Sequence, residues 1–240
     1  MDETLSRRRH TSSAYENELR KLRENVTLMA GRVELMIAES MQALIARDMD
    51  LARKTIEEDA RVNRAELESD ELCLRILARR QPLASDLRFI TLALKMVTDL
   101  ERIGDLAVNI AERAIDLGRS PSSSILHDGI PRMGEVVQSM VGDAIDAFVN
   151  RDVDTAQSVI DSDDEIDELY DRVFTDLLRN MGKADEEGMH AAIHVMSVAK
   201  WLERMGDHAV NIAELVIFLV RGKDVRHVGK LRDSAPPEDF

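Results

Sequence analysis

The chain has 240 residues, 44% of them hydrophobic and 3% aromatic, with five prolines, eleven glycines and one cysteine. That is enough apolar material for one large domain or two smaller ones. A formal charge of −14 opposes direct DNA binding, which rests on Lys and Arg neutralising phosphates. Cys73, alone inside an apolar run, excludes an internal disulfide or a thiolate metal cage and reads as a reduced, buried thiol.

Leu, Ala, Met, Glu and Arg dominate, the usage of long helices, because straight side chains lose little rotamer freedom there. The opening residues, MDETLSRRRHTSSAYENEL, lack an apolar stretch of the signal-peptide kind, and a disordered N-terminus is expected over 1–14. A first helix follows at about 15–47. Asp48, in the run Arg47-Asp48-Met49-Asp50, is placed to cap a second helix at about 49–80. Pro82 ends that helix, and a third runs over about 84–117. Ser, Gly and Pro then crowd the stretch from Gly118 to Pro131, giving a linker at 118–128. The second half repeats the plan. Helices are expected near 129–150, 153–180 and 186–221, with Arg151-Asp152-Val153-Asp154 as the first corner and Met181-Gly182-Lys183 as the second break. Residues 222–240, ending in DSAPPEDF, read as a frayed tail. No apolar run approaches the roughly 20 residues that span a bilayer, so a cytoplasmic protein is expected, touching membranes only through partners.

The repeat is direct. Between 100–117 and 202–219, 13 of 18 positions are identical, and RDMDLARKTIEEDARVN (47–63) echoes RDVDTAQSVIDSDDEID (151–167). The fold class that follows is all-α, two tandem antiparallel three-helix bundles related by internal duplication. Each bundle is one repeat, 15–117 and 129–221.

The chemistry lies in the repeated helix, LERIGDLAVNIAE at 100–112 and LERMGDHAVNIAE at 202–214. Glu101, Asp105, Asn109 and Glu112 fall within roughly 80° of arc, opposite Ile103, Leu106, Ile110 and Leu117. Alone, such a stripe is the solvated face of an amphipathic helix. Yet Glu203, Asp207, Asn211 and Glu214 reproduce it while neighbours differ, as Leu106 and His208 do, so more than solubility holds this face. Like charges at i and i+4 destabilise a helix by a few tenths of a kcal/mol. Arg102 and Arg204 offer partial relief, and a hard cation offers more. Gly104 and Gly206 weaken each helix by about 1 kcal/mol, which close approach of another helix or a ligand explains. The middle helices add Asp163 and Asp167 in the second repeat, matched by Asp59 and Asn63 in the first. If middle and third helices are neighbours, each repeat gains an oxygen-lined site, and the one with Asn63 is weaker or differently metallated.

The two E/D-x-x-x-D motifs inside LER(I/M)GD-x-A-x-NI, the segment RQPLASDLR at 80–88 and the late GKDVRHVG at 222–229 together resemble the PhoU family, from about residue 10 to 230. The resemblance implies two three-helix bundles, usually a homodimer, and in some members metal sites of iron, zinc or related ions such as magnesium or manganese. By it, Glu203 and Asp207 with Asp163 and Asp167 form one metal site, and Glu101 and Asp105 with Asp59 form the other. It also implies a negative regulator of the phosphate-starvation response. Such a regulator links the ATPase subunit of the phosphate ABC transporter to the phosphate-sensing histidine kinase and restrains uptake. RQPLASDLR has no chemistry derivable from its residues. Arg79, Arg80 and Arg88 are either a partner-contact patch or helix-end charge compensation.

Two rivals stand beside this reading. A di-iron carboxylate enzyme needs a Glu-x-x-His motif on each of two helices, and the chain offers only Glu187 with His190. His190 and His194 lie roughly opposite Glu203 and Asp207 and read as a capping residue and a packed histidine. There is no phosphate loop and no paired nucleophile and base, so no enzyme is expected. The other rival is a helical adaptor that works without metal.

Overall fold

Each half of the chain turns its first helix back on its second at an Arg-Asp corner. A computed structural model of the chain describes residues 2–119, 127–181 and 185–222. In it Arg47 and Arg151 adopt left-handed φ angles of 56° and 55°. Asp48 and Asp152 then cap the helices that follow. Asp48 Oδ1 accepts from the N–H groups of Asp50 and Leu51, both at 3.0 Å, and Asp152 Oδ1 accepts from those of Asp154 and Thr155. Asp48→Ala removes one cap without touching the core. It is expected to lower the unfolding free energy by about 1 kcal/mol, read as a lower urea midpoint at an unchanged slope.

Seven helices result among the described residues: α1 (Asp2–Ala46), α2 (Met49–Arg79), α3 (Ala84–Arg119), α4 (Gly129–Asn150), α5 (Val153–Asp161), α6 (Asp163–Met181) and α7 (Glu186–Arg221). Helices α1, α2 and α3 pack on one another, and α4, α5, α6 and α7 do the same. The all-α architecture of two three-layered bundles is as the sequence indicates. The bundles meet where α3 packs on α7 and α1 on α4. No helix among the described residues is long and apolar enough to cross a membrane.

Three expected boundaries move. The backbone is helical from Asp2 rather than disordered over 1–14, because residues 2–14 contain no Pro or Gly to stop the helix. The helix expected at 153–180 is interrupted at Ser162, whose Oγ donates to the carbonyl of Ser158 at 2.8 Å. Serine and aspartate side chains compete for backbone groups, and Asp161-Ser162-Asp163-Asp164 concentrates them. Finally, α3 runs on through Arg119. The rest of the expected linker up to residue 126, the Gly182-Lys183 break and the tail beyond 222 lie outside the described residues.

Candidate metal-binding carboxylate clusters

The stripe helices stand close to the middle helices because of their glycines. A Cβ at Gly104 would lie 3.4 Å from Val62 Cγ1 on α2, and one at Gly206 would lie 3.2 Å from Ile166 Cγ2 on α6. Val62 and Ile166 are matching residues of the two repeats, both fully buried. Helix contact therefore accounts for both glycines. Ile103, Leu106, Ile110 and Leu117 are buried as expected. The stripe does not simply face solvent, however, since the Glu101 and Glu203 side chains are only 17% and 16% exposed.

In the second repeat, Asp163 and Asp167 on α6 face Glu203 and Asp207 on α7. Burial, and then the charges of Asp167 and Asp207, push the Asp163 carboxyl up to about 6. Asp167 is raised by burial and next by Glu203. Relief comes from a residue that sequence reasoning missed. Lys200 Nζ lies 2.7 Å from both carboxylate oxygens of Glu203 and 5.3 Å from the Tyr170 ring centroid, whereas Arg204 has no ion pair among the described residues.

In the first repeat, Asp59 on α2 meets Glu101 and Asp105 on α3. Burial and then Asp105 raise Asp59, and burial and then Asp105 raise Glu101. Arg102 lies 3.6 Å from Glu101 and 3.7 Å from Asp105. By these mutual charge effects the seven carboxylates expected from the sequence fall into two groups, three in one and four in the other. The first cluster also holds two acids not anticipated, Glu66 and Asp70, each raised chiefly by burial. Their own E-x-x-x-D spacing on α2 was the available signal. At the matching places in the second repeat stand Tyr170 and Phe174, ring centroids 6.0 Å apart. The first cluster therefore loses a charge at Asn63 and gains two further along α2.

Asn63 is not idle. Its Nδ2 donates to Asp59 Oδ2 at 2.8 Å, standing where a cation would otherwise neutralise that carboxylate. Asn63→Asp is expected to destabilise the metal-free protein by about 0.5 kcal/mol through like-charge repulsion. It is also expected to tighten manganese binding at the first cluster several-fold in a calorimetric titration.

Among the described residues no three His, Cys, Asp or Glu side chains converge as a ready-made metal shell. Lys200 and Arg102 hold the carboxylates instead. The donor chemistry still suits a hard cation, and Asp59 Oδ1, Asn63 Oδ1 and Asp70 Oδ1 are buried without a hydrogen-bond partner. Such orphaned oxygens are costly and a cation would satisfy them. Lower on the second stripe, Asn211 turns elsewhere, its Nδ2 donating to Asp99 Oδ1 at 3.4 Å.

That contact belongs to the seam between the bundles, where α3 and α7 pack together. His208 Nδ1 lies 2.9 Å from Asp99 Oδ1 at one end. At the other, Arg113 contacts His194 Nδ1 at 3.2 Å and stands over Trp201, 5.7 Å from the ring centroid. The repeat equates Asp99 with Trp201 and Leu106 with His208, so one end of the seam is polar where the other is aromatic. His194 is a packed histidine as expected, held low by burial and by Arg113. His190 does not cap α7. Asp185 does, accepting from the Gly188 N–H at 2.8 Å.

RQPLASDLR closes the end of the first bundle. Arg80 Nε pairs with Glu18 at 3.0 Å, and the Tyr15 hydroxyl donates to Asp86 at 2.9 Å; burial first, and then this bond, push Tyr15 up to about 12. Arg80 is thus engaged within the chain rather than offered to a partner.

Comparison with known proteins agrees with this architecture. A family model described as PhoU domain matches twice, over residues 26–114 and 130–216. The phosphate-specific transport system accessory protein PhoU homolog of Pseudomonas putida is 44% identical over 94% of this chain and 88% of its own length. Its Escherichia coli counterpart is 34% identical over 95% of this chain and 93% of its own length. The crystal structure of PhoU from Pseudomonas aeruginosa superposes with a TM-score of 0.84 at 42% identity, covering 87% of this chain and all of that one. The Streptococcus pneumoniae phosphate transport system regulatory protein PhoU gives 0.80 at 25% identity, over 88% of this chain and 99% of its own. Two matched domains, one on each bundle, and relatives aligned along nearly their whole length mean that this chain belongs to the PhoU family.

Proposed function

We propose that this chain is a negative regulator of the phosphate-starvation response. It works in the cytoplasm as a homodimer, between the ATPase subunit of a phosphate ABC transporter and a phosphate-sensing histidine kinase. Support comes from the family membership and from relatives named as accessory proteins of a phosphate-specific transport system. The two carboxylate clusters are the part of the molecule through which a divalent cation would act. Glu203, Asp207, Asp163 and Asp167 hold it in the second bundle, and Asp59, Glu101 and Asp105 hold it in the first. The observation that carries the cation reading is the set of buried, partnerless oxygens on Asp59, Asn63 and Asp70.

The regulatory test is deletion of the chain followed by an alkaline phosphatase reporter in phosphate-rich medium. Derepression is expected, and unchanged repression overturns the reading. Metal analysis of untagged protein, beside complementation with Glu203→Ala/Asp207→Ala, tests the cation. A wild type without metal and a double variant with full regulation would leave the metal-independent adaptor as the answer.

A further inference from the structure

One groove of the fold carries opposite charge patterns in the two repeats. Between α1 and α2 lies a cleft of about 360 Å³ lined by Asn25, Leu28, Met29 and Arg32 from α1 and by Arg61, Arg64, Ala65 and Glu68 from α2. A single carboxylate orients two of the guanidiniums. Glu58 Oε1 is 3.0 Å from Arg32 and Glu58 Oε2 is 2.7 Å from Arg61. Arg64 has no ion pair among the described residues.

The second repeat shows what this groove looks like when it closes on itself. Asp48 and Asp152 mark matching corners, 104 residues apart, and the same offset equates Leu28 with Arg132, Arg61 with Glu165 and Arg64 with Glu168. There Arg132 bridges the groove to Glu165 at 2.7 Å. The first repeat keeps neither half of that bridge. Leu28, 67% exposed, replaces the cation, and arginines replace both acids. On a chain of net charge −14, that inversion leaves a cleft facing α1 in which three guanidiniums outnumber the carboxylates of Glu58 and Glu68, with Leu28, Met29 and Ala65 as its apolar wall. Asp59 and Asn63 face α3, on the other side of α2.

We propose that this cleft binds the phosphoryl group of an anionic ligand. Guanidinium forks match the oxygens of a phosphate bidentately, and pockets of roughly 300–1,000 Å³ are the size that holds small ligands. Leu28 and Ala65 supply a surface for an organic body beside the charge. A free phosphate compound and a phospholipid headgroup share this chemistry, so the test includes both.

Full-length protein at low ionic strength is titrated calorimetrically with inorganic phosphate and with AMP, and sedimented with phosphatidylglycerol vesicles. Saturable binding of at least one probe is expected. Binding of phosphate or AMP alone identifies a soluble ligand, and binding of vesicles alone identifies a headgroup. Arg64→Gln leaves the Glu58 pairs intact and is expected to weaken binding about tenfold. Arg61→Glu/Arg64→Glu, which installs the residue types the second repeat carries at these places, is expected to weaken it at least about 100-fold. Circular dichroism confirms that both variants fold, and Arg132→Gln in the other repeat is expected to leave affinity unchanged. Absence of saturable binding by all three probes overturns the proposal, as does binding indifferent to Arg64→Gln. Chelation of divalent metal is expected to leave this binding intact, which separates it from the carboxylate clusters.

Discussion

Gly206→Leu is expected to force α6 and α7 apart and to remove a large part of the second bundle's stability. A bare Cβ at this position already comes within 3.2 Å of Ile166 Cγ2 and 3.7 Å of Met140 Cε. Ile166 has no exposed surface and Met140 only 2%, so neither can swing into solvent. The remaining leucine atoms have no space, and overpacking of this kind costs about 3 kcal/mol or more. Against a typical stability of about 5–15 kcal/mol, that is a large fraction. A thermal melt should fall by roughly 6–12 °C for a chain of this size. Gly104→Ala is the contrasting control, because its Cβ meets Val62 at 3.4 Å, an ordinary contact, while alanine gains up to about 1 kcal/mol of helix propensity. A Gly206→Leu melt equal to wild type would show that the two helices do not approach as described.

Wild-type protein stripped of metal is expected to become more stable as the pH falls from about 6 toward 4, and Asp163→Asn is expected to abolish that gain. The Asp163 carboxyl is pushed up to about 6 by burial first and by Asp167 and Asp207 next, whereas an unfolded aspartate titrates near 3.9. Between those values the folded chain holds a proton that the unfolded chain has released. Stability from this group is therefore fully present below about pH 4 and lost as the pH rises through about 6. A shift of this size corresponds to about 3 kcal/mol. Solvent reaches part of the cluster and screens it, so about 1 kcal/mol is expected. A cation and the proton compete for the same oxygens. Added manganese should accordingly raise the melting temperature more at pH 7.5 than at pH 5, and much less in Asp163→Asn at either pH. Thermal melts across pH, with manganese or with chelator, measure both effects. Superimposable wild-type and variant profiles would remove Asp163 from the cluster.

Much of this fold was legible in the sequence because its signals are local. The Arg-Asp corners are written in adjacent residues, and the repeated helix declares both its apolar arc and its carboxylates. Sequence reasoning went wrong where a local preference and a longer pattern disagreed. The periodicity of 153–180 runs unbroken through Ser162, yet the backbone tightens there, with the Ser162 N–H shared between the carbonyls of Ser158 and Val159 and the Glu165 N–H donating back to that of Ser162. The site was legible as seven carboxylates in two groups, but not with all of the residues that join them. Glu66 and Asp70 escape a comparison of the repeats because the second repeat has Tyr170 and Phe174 in their places. Lys200 was missed for a different reason. It replaces Thr98 of the first repeat, and only packing shows that its amine turns onto Glu203 and Tyr170. The basic cleft between α1 and α2 joins residues about thirty positions apart, and nothing local in either segment announces it.

The polar and aromatic ends of the α3–α7 seam have a practical consequence. The chain contains one tryptophan, and that residue, Trp201, stands at the seam under the Arg113 guanidinium of the other bundle. Its emission is an intrinsic optical gauge of how the two bundles sit against each other. A cation, an anion or a protein partner that shifts one bundle on the other will change that signal without any label being introduced.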